Sequence, residues 1–353
     1  MKWLRLGTGM VLILSLILLS ACNAPVFLSN EFQTTGTYPS KPITGVIPWD
    51  QGGTTDSIAR TISPLVEKEL GQSIVLTNKP GATGSIGTHY VYEQEPDGTH
   101  LLFSAENPAL YGVLDISALG FDDFEPIALY ARTMATVVVP ADSKYKTLDD
   151  LLQDAKARPG KIKMGSTGPG GLPHVVSSMI NGAAGTRFNL IPFPGDGPAL
   201  TALLGGHIDA TVSALSAAIN NQKAGKVRIL AVINDQPVPA IPDVPTVTQS
   251  LPQLEQHLPW GPFFGVWVKK GTPEPIKAKL AKAFAKAEET PKFQKALRNI
   301  GAIPMNLHGK EAERYWRDWQ STTAWLIYEG GEAKVHPAKL NIPKKPSRSD
   351  QER

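Results

Sequence analysis

Pro48-Trp-Asp-Gln-Gly-Gly-Thr-Thr-Asp56 and Gly165-Ser-Thr-Gly-Pro-Gly-Gly-Leu-Pro-His174 share one design: a short apolar run ends, glycines follow, and a helical pattern begins. Before the first loop, Pro42 to Pro48 reads as a strand; after it, Ile58, Ile62, Leu65, Val66 and Leu70 recur at helical spacing. The second loop lies between a strand pattern over Lys161 to Gly165 and a helical one over Val175 to Ala184. Glycine lets a backbone come close to a ligand, and the first N–H groups of a helix lack internal partners and carry partial positive charge. Such a loop is a seat for an anion. Trp49, Gln51, Gly52, Gly53, Thr54 and Thr55 are the candidate contacts of the first loop, and Ser166, Thr167, Gly168, Gly170 and Gly171 those of the second. Asp56 would repel a carboxylate, so it reads as a helix cap or loop anchor, although it belongs to the candidate set. A structural hydrogen bond is favoured for His174 over a ligand contact. A glycine pair before a helix is also an ordinary tight turn; two such loops, one in each half of the chain, favour a ligand held between lobes.

Outward from these loops, further strand patterns run over Ser73 to Thr77, His100 to Ser104, Ala135 to Val139, Ala210 to Ser213, Val227 to Val232 and Phe263 to Val268. Helical patterns cover Leu148 to Ala157, Ala199 to Leu204, Glu274 to Glu289, Pro291 to Ile300 and Lys310 to Tyr328. The alternation predicts an α/β fold with a largely parallel sheet. Pro64 should bend or split the first helix. Extended segments at Val137 to Pro140 and Pro259 to Gly265 are the expected hinges of two interlobe crossovers. Residues 38–138 plus 261–330 would then form lobe 1, and 139–260 lobe 2.

With 353 residues, 42% of them hydrophobic and 19% charged, the chain can build two cores and is not a disordered protein. Its formal net charge of +3 does not point to nucleic acid. The N-terminus explains the single cysteine. Lys2 and Arg5 precede an apolar run too short for a membrane span, and Leu19-Ser20-Ala21-Cys22 resembles a lipobox. Residues 1–21 therefore read as a lipoprotein signal peptide, Cys22 as the lipidated residue, 22–37 as a tether, and the rest as extracytoplasmic. Residues 331–353 hold six Lys/Arg and three prolines, and read as a basic flexible tail. No G-x-S-x-G elbow, phosphate loop or H-E-x-x-H occurs, and the seven histidines are scattered, so neither a catalytic set, a metal site nor a cofactor is expected.

The landmarks Tyr38-Pro-Ser-Lys-Pro-Ile, Pro48-Trp-x-x-Gly-Gly-x-x-Asp56, Asn78-Lys-Pro-Gly-Ala-x-Gly84, Pro96-Asp-Gly-Thr99, Gly165-Ser-x-Gly-x-Gly-Gly171, Pro192-Phe-x-Gly-Asp-Gly-Pro-Ala-Leu200 and Pro242-Asp-Val-Pro-Thr246 stand in register. In them the chain resembles the Bug/TctC receptors of tripartite tricarboxylate transporters, from Tyr38 to about Tyr328. The resemblance implies a type II-like Venus flytrap, a two-lobed periplasmic binding protein. It would be a monomer that grips a small organic carboxylate or amino acid and passes it to a large and a small membrane subunit. It also implies Asp196, on a third loop, as a site residue. One departure stands out: where relatives have a hydroxyl-rich loop with a histidine, this chain has Ala105-Glu106-Asn107-Pro108. If Glu106 faces the cleft ionised, a second ligand carboxylate is disfavoured. The rival expectations are a secreted hydrolase or decarboxylase on a similar frame, and a ligand-free sensor or adhesion lipoprotein.

Overall fold

A computed structural model describes residues 38–344. The signal peptide, Cys22, the tether and residues 345–353 lie outside the described residues.

Eleven strands and nine α-helices are present among the described residues: β1 (Ile43–Ile47), α1 (Thr54–Leu70), β2 (Ile74–Asn78), α2 (Ser85–Tyr92), β3 (His100–Ala105), β4 (Phe124–Arg132), β5 (Ala135–Pro140), α3 (Leu148–Ala157), β6 (Lys163–Ser166), α4 (Leu172–Ala184), β7 (Asn189–Pro192), α5 (Asp196–Leu204), β8 (Ala210–Ala214), α6 (Leu215–Lys223), β9 (Val227–Ile233), β10 (Phe263–Lys269), α7 (Glu274–Glu288), α8 (Pro291–Asn299), β11 (Ile303–His308) and α9 (Gly309–Glu329). They build two sheets, one ordered β11-β4-β10-β3-β1-β2 and the other β7-β6-β8-β5-β9. One apolar cluster runs through the first sheet and one face of the second, and another lies on the second sheet's other face. In the first, Phe121 stacks on Trp267 with centroids 4.2 Å apart, and Trp316 closes edge-on at 5.6 Å. In the second, Val138, Leu203, Leu215 and Ile229 are buried together.

The sheets are mixed, not largely parallel. β2, β1 and β3 run parallel, as do β7, β6 and β8, but β10, β4 and β11 pair antiparallel in the first sheet and β5 and β9 in the second. Interlobe crossing is part of the reason. A strand that enters its sheet directly from the other lobe, as β5 does from β4, lies against the direction of that sheet's βαβ strands.

The outward crossing falls at Thr133-Met134, ahead of the expected boundary at 138, because β5 pairs along its whole length with β9 and along most of it with β8. The return passes beside it, with the Thr133 N–H donating to the Pro262 carbonyl at 3.0 Å. A Cβ on Gly261 would stand 2.3 Å from the Thr133 carbonyl oxygen, so the two connections approach this closely only with glycine there.

Two further expectations are corrected. α1 runs unbroken through Pro64, which is exposed. The hydrogen bond proline removes is therefore on the solvent side, where water serves the freed carbonyl. Residues 331–344 are docked, not a solvated tail. The Lys334 and Val335 N–H groups donate to the Val113 carbonyl at 2.9 and 3.0 Å, and Ile342 is buried. His336 packs at a tilt against Tyr328 at 4.3 Å and edge-on against Trp325 at 5.3 Å, and Lys344 pairs with Glu329 at 2.7 Å. The aromatic partners on α9 outweigh the proline and lysine content that suggested fraying.

Candidate functional site

In each sheet the parallel strands end at the same side, and helices begin there. Ligands of open α/β sheets bind at such carboxyl ends. α1 starts after Gly53, α4 after Gly171 and α5 after Gly195, and none of the three has a side-chain cap. Their first N–H groups are left to whatever occupies the space in front of them. Gly53 and Thr54 of the first sheet's side and Gly195, Asp196 and Leu172 of the second's line a single cavity of about 60 Å³. That holds roughly four to six water-sized groups. Trp49, Gln51, Thr55, Glu106, Asn107, Thr167 and Phe264 also line it, as do Asp50, Ala105, Gly197, Pro198, Ala214 and Pro262, which the sequence reading did not single out as contacts. Gly197 and Pro198 sit on the third loop already marked by Asp196, Asp50 is part of the first loop, and Pro262 and Phe264 belong to the aromatic return segment.

The remaining candidates shape the wall from behind. Asp56 accepts from the Gly52 N–H at 3.0 Å and from Arg60 Nε at 2.9 Å, while Asn78 Nδ2 donates to both the Trp49 carbonyl at 2.8 Å and Asp56 at 2.9 Å. Burial pushes the Asp56 carboxyl up, but these bonds outweigh it and hold the group below the usual carboxylate range. It is a loop anchor. Ser166 is buried, with its Oγ accepting from the Gly168 N–H at 3.3 Å. His174 Nδ1 accepts from the Gly170 N–H at 3.2 Å, and its Nε2 lies 3.8 Å from Glu332. Burial lowers the His174 pKa despite Glu332, so the ring is a neutral brace at neutral pH. Gly168 and Gly170 have φ of +92° and +76°, and Gly171 would place a Cβ 2.0 Å from Thr167 Oγ1. These glycines fix the loop's path. Gly52, with φ +81°, lies at the outer rim of the first loop.

The lobes touch directly at the cavity. Asn107 Nδ2 donates to the Gly170 carbonyl at 2.8 Å, and the Thr54 and Ser216 hydroxyls share a hydrogen bond at 2.9 Å. Tyr111 does not line the cavity; its hydroxyl donates to the Thr83 carbonyl at 2.8 Å. Trp260 and Phe263 are core residues.

The lining carries three acidic side chains, Asp50, Glu106 and Asp196, and no lysine, arginine or histidine. Glu106 is buried, and that burial, with the Asp196 charge adding, pushes its carboxyl up to about 8. Burial likewise lifts Asp196 to about 6, against the pull of a long hydrogen bond from the Ala214 N–H. Positive potential from the lining itself comes from backbone and side-chain dipoles, not from a basic side chain. No cluster of potential metal ligands occurs among the described residues, and none of their helices is long and apolar enough to cross a membrane.

This geometry has known counterparts. Residues 58–331 match the family described as tripartite tricarboxylate transporter family receptor. Protein BugT of Bordetella pertussis is 30% identical over 300 residues, covering 84% of this chain and 91% of its own length. The structure of the periplasmic binding protein BugD superposes with a TM-score of 0.79 at 29% identity, over 84% of this chain and all of that one. MatC of Rhodopseudomonas palustris, solved with bound malate, gives 0.76 at 26% identity over 82% of this chain and all of its own. A further R. palustris protein, solved with adipate, gives 0.78 at 26% over 83% and 98%. The chain is thus a two-lobed α/β protein of the periplasmic binding type, and it belongs to the tripartite tricarboxylate transporter receptor family.

Proposed function

We infer that the protein captures a small organic carboxylate or amino acid in the cavity between its sheets and delivers it, chemically unchanged, to the large and small subunits of a tripartite transporter. The observation that carries this reading is the convergence of three uncapped helix N-termini, one from the first sheet's side and two from the second's, on a cavity without a basic side chain. Backbone N–H groups and the hydroxyls of Thr54, Thr55 and Thr167 are the donors on offer. A charge-assisted hydrogen bond contributes about 1.5–3 kcal/mol net. Four or five, less the ordering of ligand and lobes, reach the roughly −8 kcal/mol of a micromolar complex. Donors from both lobes are satisfied together only when the lobes close, so the ligand selects the closed form. The membrane subunits would read that form.

Glu106 lines the cavity, and whenever it is ionised a second ligand carboxylate is repelled. A monocarboxylate or an amino acid fits this better than a tricarboxylate. Lipidation at Cys22, an extracytoplasmic location and a monomeric state complete the proposal, and malate and adipate in related proteins support the carboxylate class. Thermal unfolding of the full chain against mono-, di- and tricarboxylates and amino acids tests the reading. A rise in Tm with at least one class is expected, and no shift across the whole panel would remove it.

A further inference from the structure

The cavity presents two unused polar groups of opposite character. Trp49 Nε1 is a buried donor without a partner, and Glu106 Oε2 is a buried acceptor without one, on a residue only 3% exposed. Both residues line the cavity. A buried polar atom left unpaired is costly, and native proteins rarely keep one without a water or ligand to answer it. Asp196 approaches the same space from the other lobe, close enough for its charge to act on Glu106. Ionised together, two carboxyl groups facing one cavity repel each other, and no basic side chain of the lining offsets them.

A simple carboxylate answers only half of this arrangement. Its oxygens suit the helix N-termini and the Trp49 N–H, but nothing in it satisfies Glu106 and Asp196. A ligand that also carries a protonated amine satisfies both. We propose that Glu106 and Asp196 form an ammonium subsite, one residue from each lobe, so that the solute is zwitterionic: a carboxylate and an amine on one small frame. The inference rests on the receptor reading and specifies its ligand. It also gives closure a second driving force. The ammonium is shared between lobes, so its full set of acceptors exists only in the closed form.

Calorimetric titration of the full chain with matched pairs tests this: alanine against propionate, aspartate against succinate, glutamate against glutarate. Within the pair that binds, the amine-bearing member is expected to bind at least tenfold more tightly. Glu106→Gln should erase that preference by weakening the amino acid tenfold or more while leaving the amine-free partner equal or stronger. Asp196→Asn, read in the same way, covers a failure of the first variant to fold. An amine-free member binding as tightly as its partner, or Glu106→Gln weakening both alike, would overturn the ammonium subsite and leave the receptor reading standing. Silence of every member would end both.

Discussion

The Asn107 side chain, on the loop after β3, donates a hydrogen bond of 2.8 Å to the Gly170 carbonyl of the other lobe, and Asn107 is almost wholly buried. It is a latch between the lobes, placed at the cavity wall. Asn107→Ala leaves a buried carbonyl unpaired only when the lobes are closed, a loss of about 1–3 kcal/mol. The cost falls on the closed state, so ligand affinity should drop on the order of tenfold while the unfolding midpoint of the ligand-free protein moves little. Titration beside denaturant unfolding separates the two.

Gly53 and Gly170 should behave oppositely. Gly53 has φ −72°, and a Cβ there meets nothing nearer than the Asp50 carbonyl at 3.6 Å. Gly53→Ala should therefore stay within about 0.5 kcal/mol of the parent in stability but weaken ligand binding, because the methyl occupies space a ligand would use. Gly170 has φ +76° and a Cβ there would stand 2.7 Å from Leu114 Cδ1. Gly170→Ala should cost about 1–3 kcal/mol of stability. Urea unfolding and titration of both variants check the contrast.

The two loops were legible because glycine, hydroxyl and helix-start signals coincide within a few residues, and the main strands because their apolar runs are short and bounded. β4, β7 and β11 were not. Pro126 interrupts β4, which is buried enough to lose alternation, and β11 pairs with it through a bulge. β7 is a four-residue edge strand with no buried position. The hinge was misplaced because Ala135 to Pro140 reads as one apolar run whichever sheet receives it. Asp56 reads from sequence as a cap or anchor and His174 as a structural hydrogen bonder, and their side chains turn to the Gly52 and Gly170 N–H groups behind the wall; which N–H each takes is what spacing alone does not encode. Glu106 was the reverse: a glutamate on a loop is ordinarily solvated, and only the fold buries it.

Protonation of the buried carboxyls should stabilise the ligand-free protein, against the opposite pull of His100, His174, His257 and His308, which burial holds low. A carboxyl raised in the folded state binds its proton more tightly there than in the unfolded chain. The stability it contributes is therefore full below pH ~4.5 and drains as pH rises through its folded pKa. Glu106 at about 8 and Asp196 at about 6 place that loss between pH 5 and 8, and Glu288, raised by burial to about 9, adds a loss of the same sign. Tyr111 and Tyr315, which also feel the Glu106 charge, are raised by burial and stay neutral over this range. Glu106→Gln should flatten the decline of Tm across this range, by a stability on the order of a few kcal/mol. Scanning calorimetry at several pH values on both proteins gives the comparison, with Glu288 common to each.

The docked C-terminal segment should matter to stability. Ile342 is buried, and its carbonyl accepts from Trp325 Nε1 at 3.2 Å. Ile342→Ala should cost about 2 kcal/mol, read as a lower urea midpoint, and the emission of Trp325 should shift toward that of a solvated indole.

The central claim is that the cavity traps a small carboxylate-bearing solute and does not transform it. One-dimensional NMR of such a solute, titrated with the purified full-length chain, tests it most directly. Its resonances should shift or broaden saturably at one molecule per chain, and the original spectrum should return when the protein is removed. New resonances, or line widths unaffected at every ratio for every carboxylate and amino acid tried, would contradict the account.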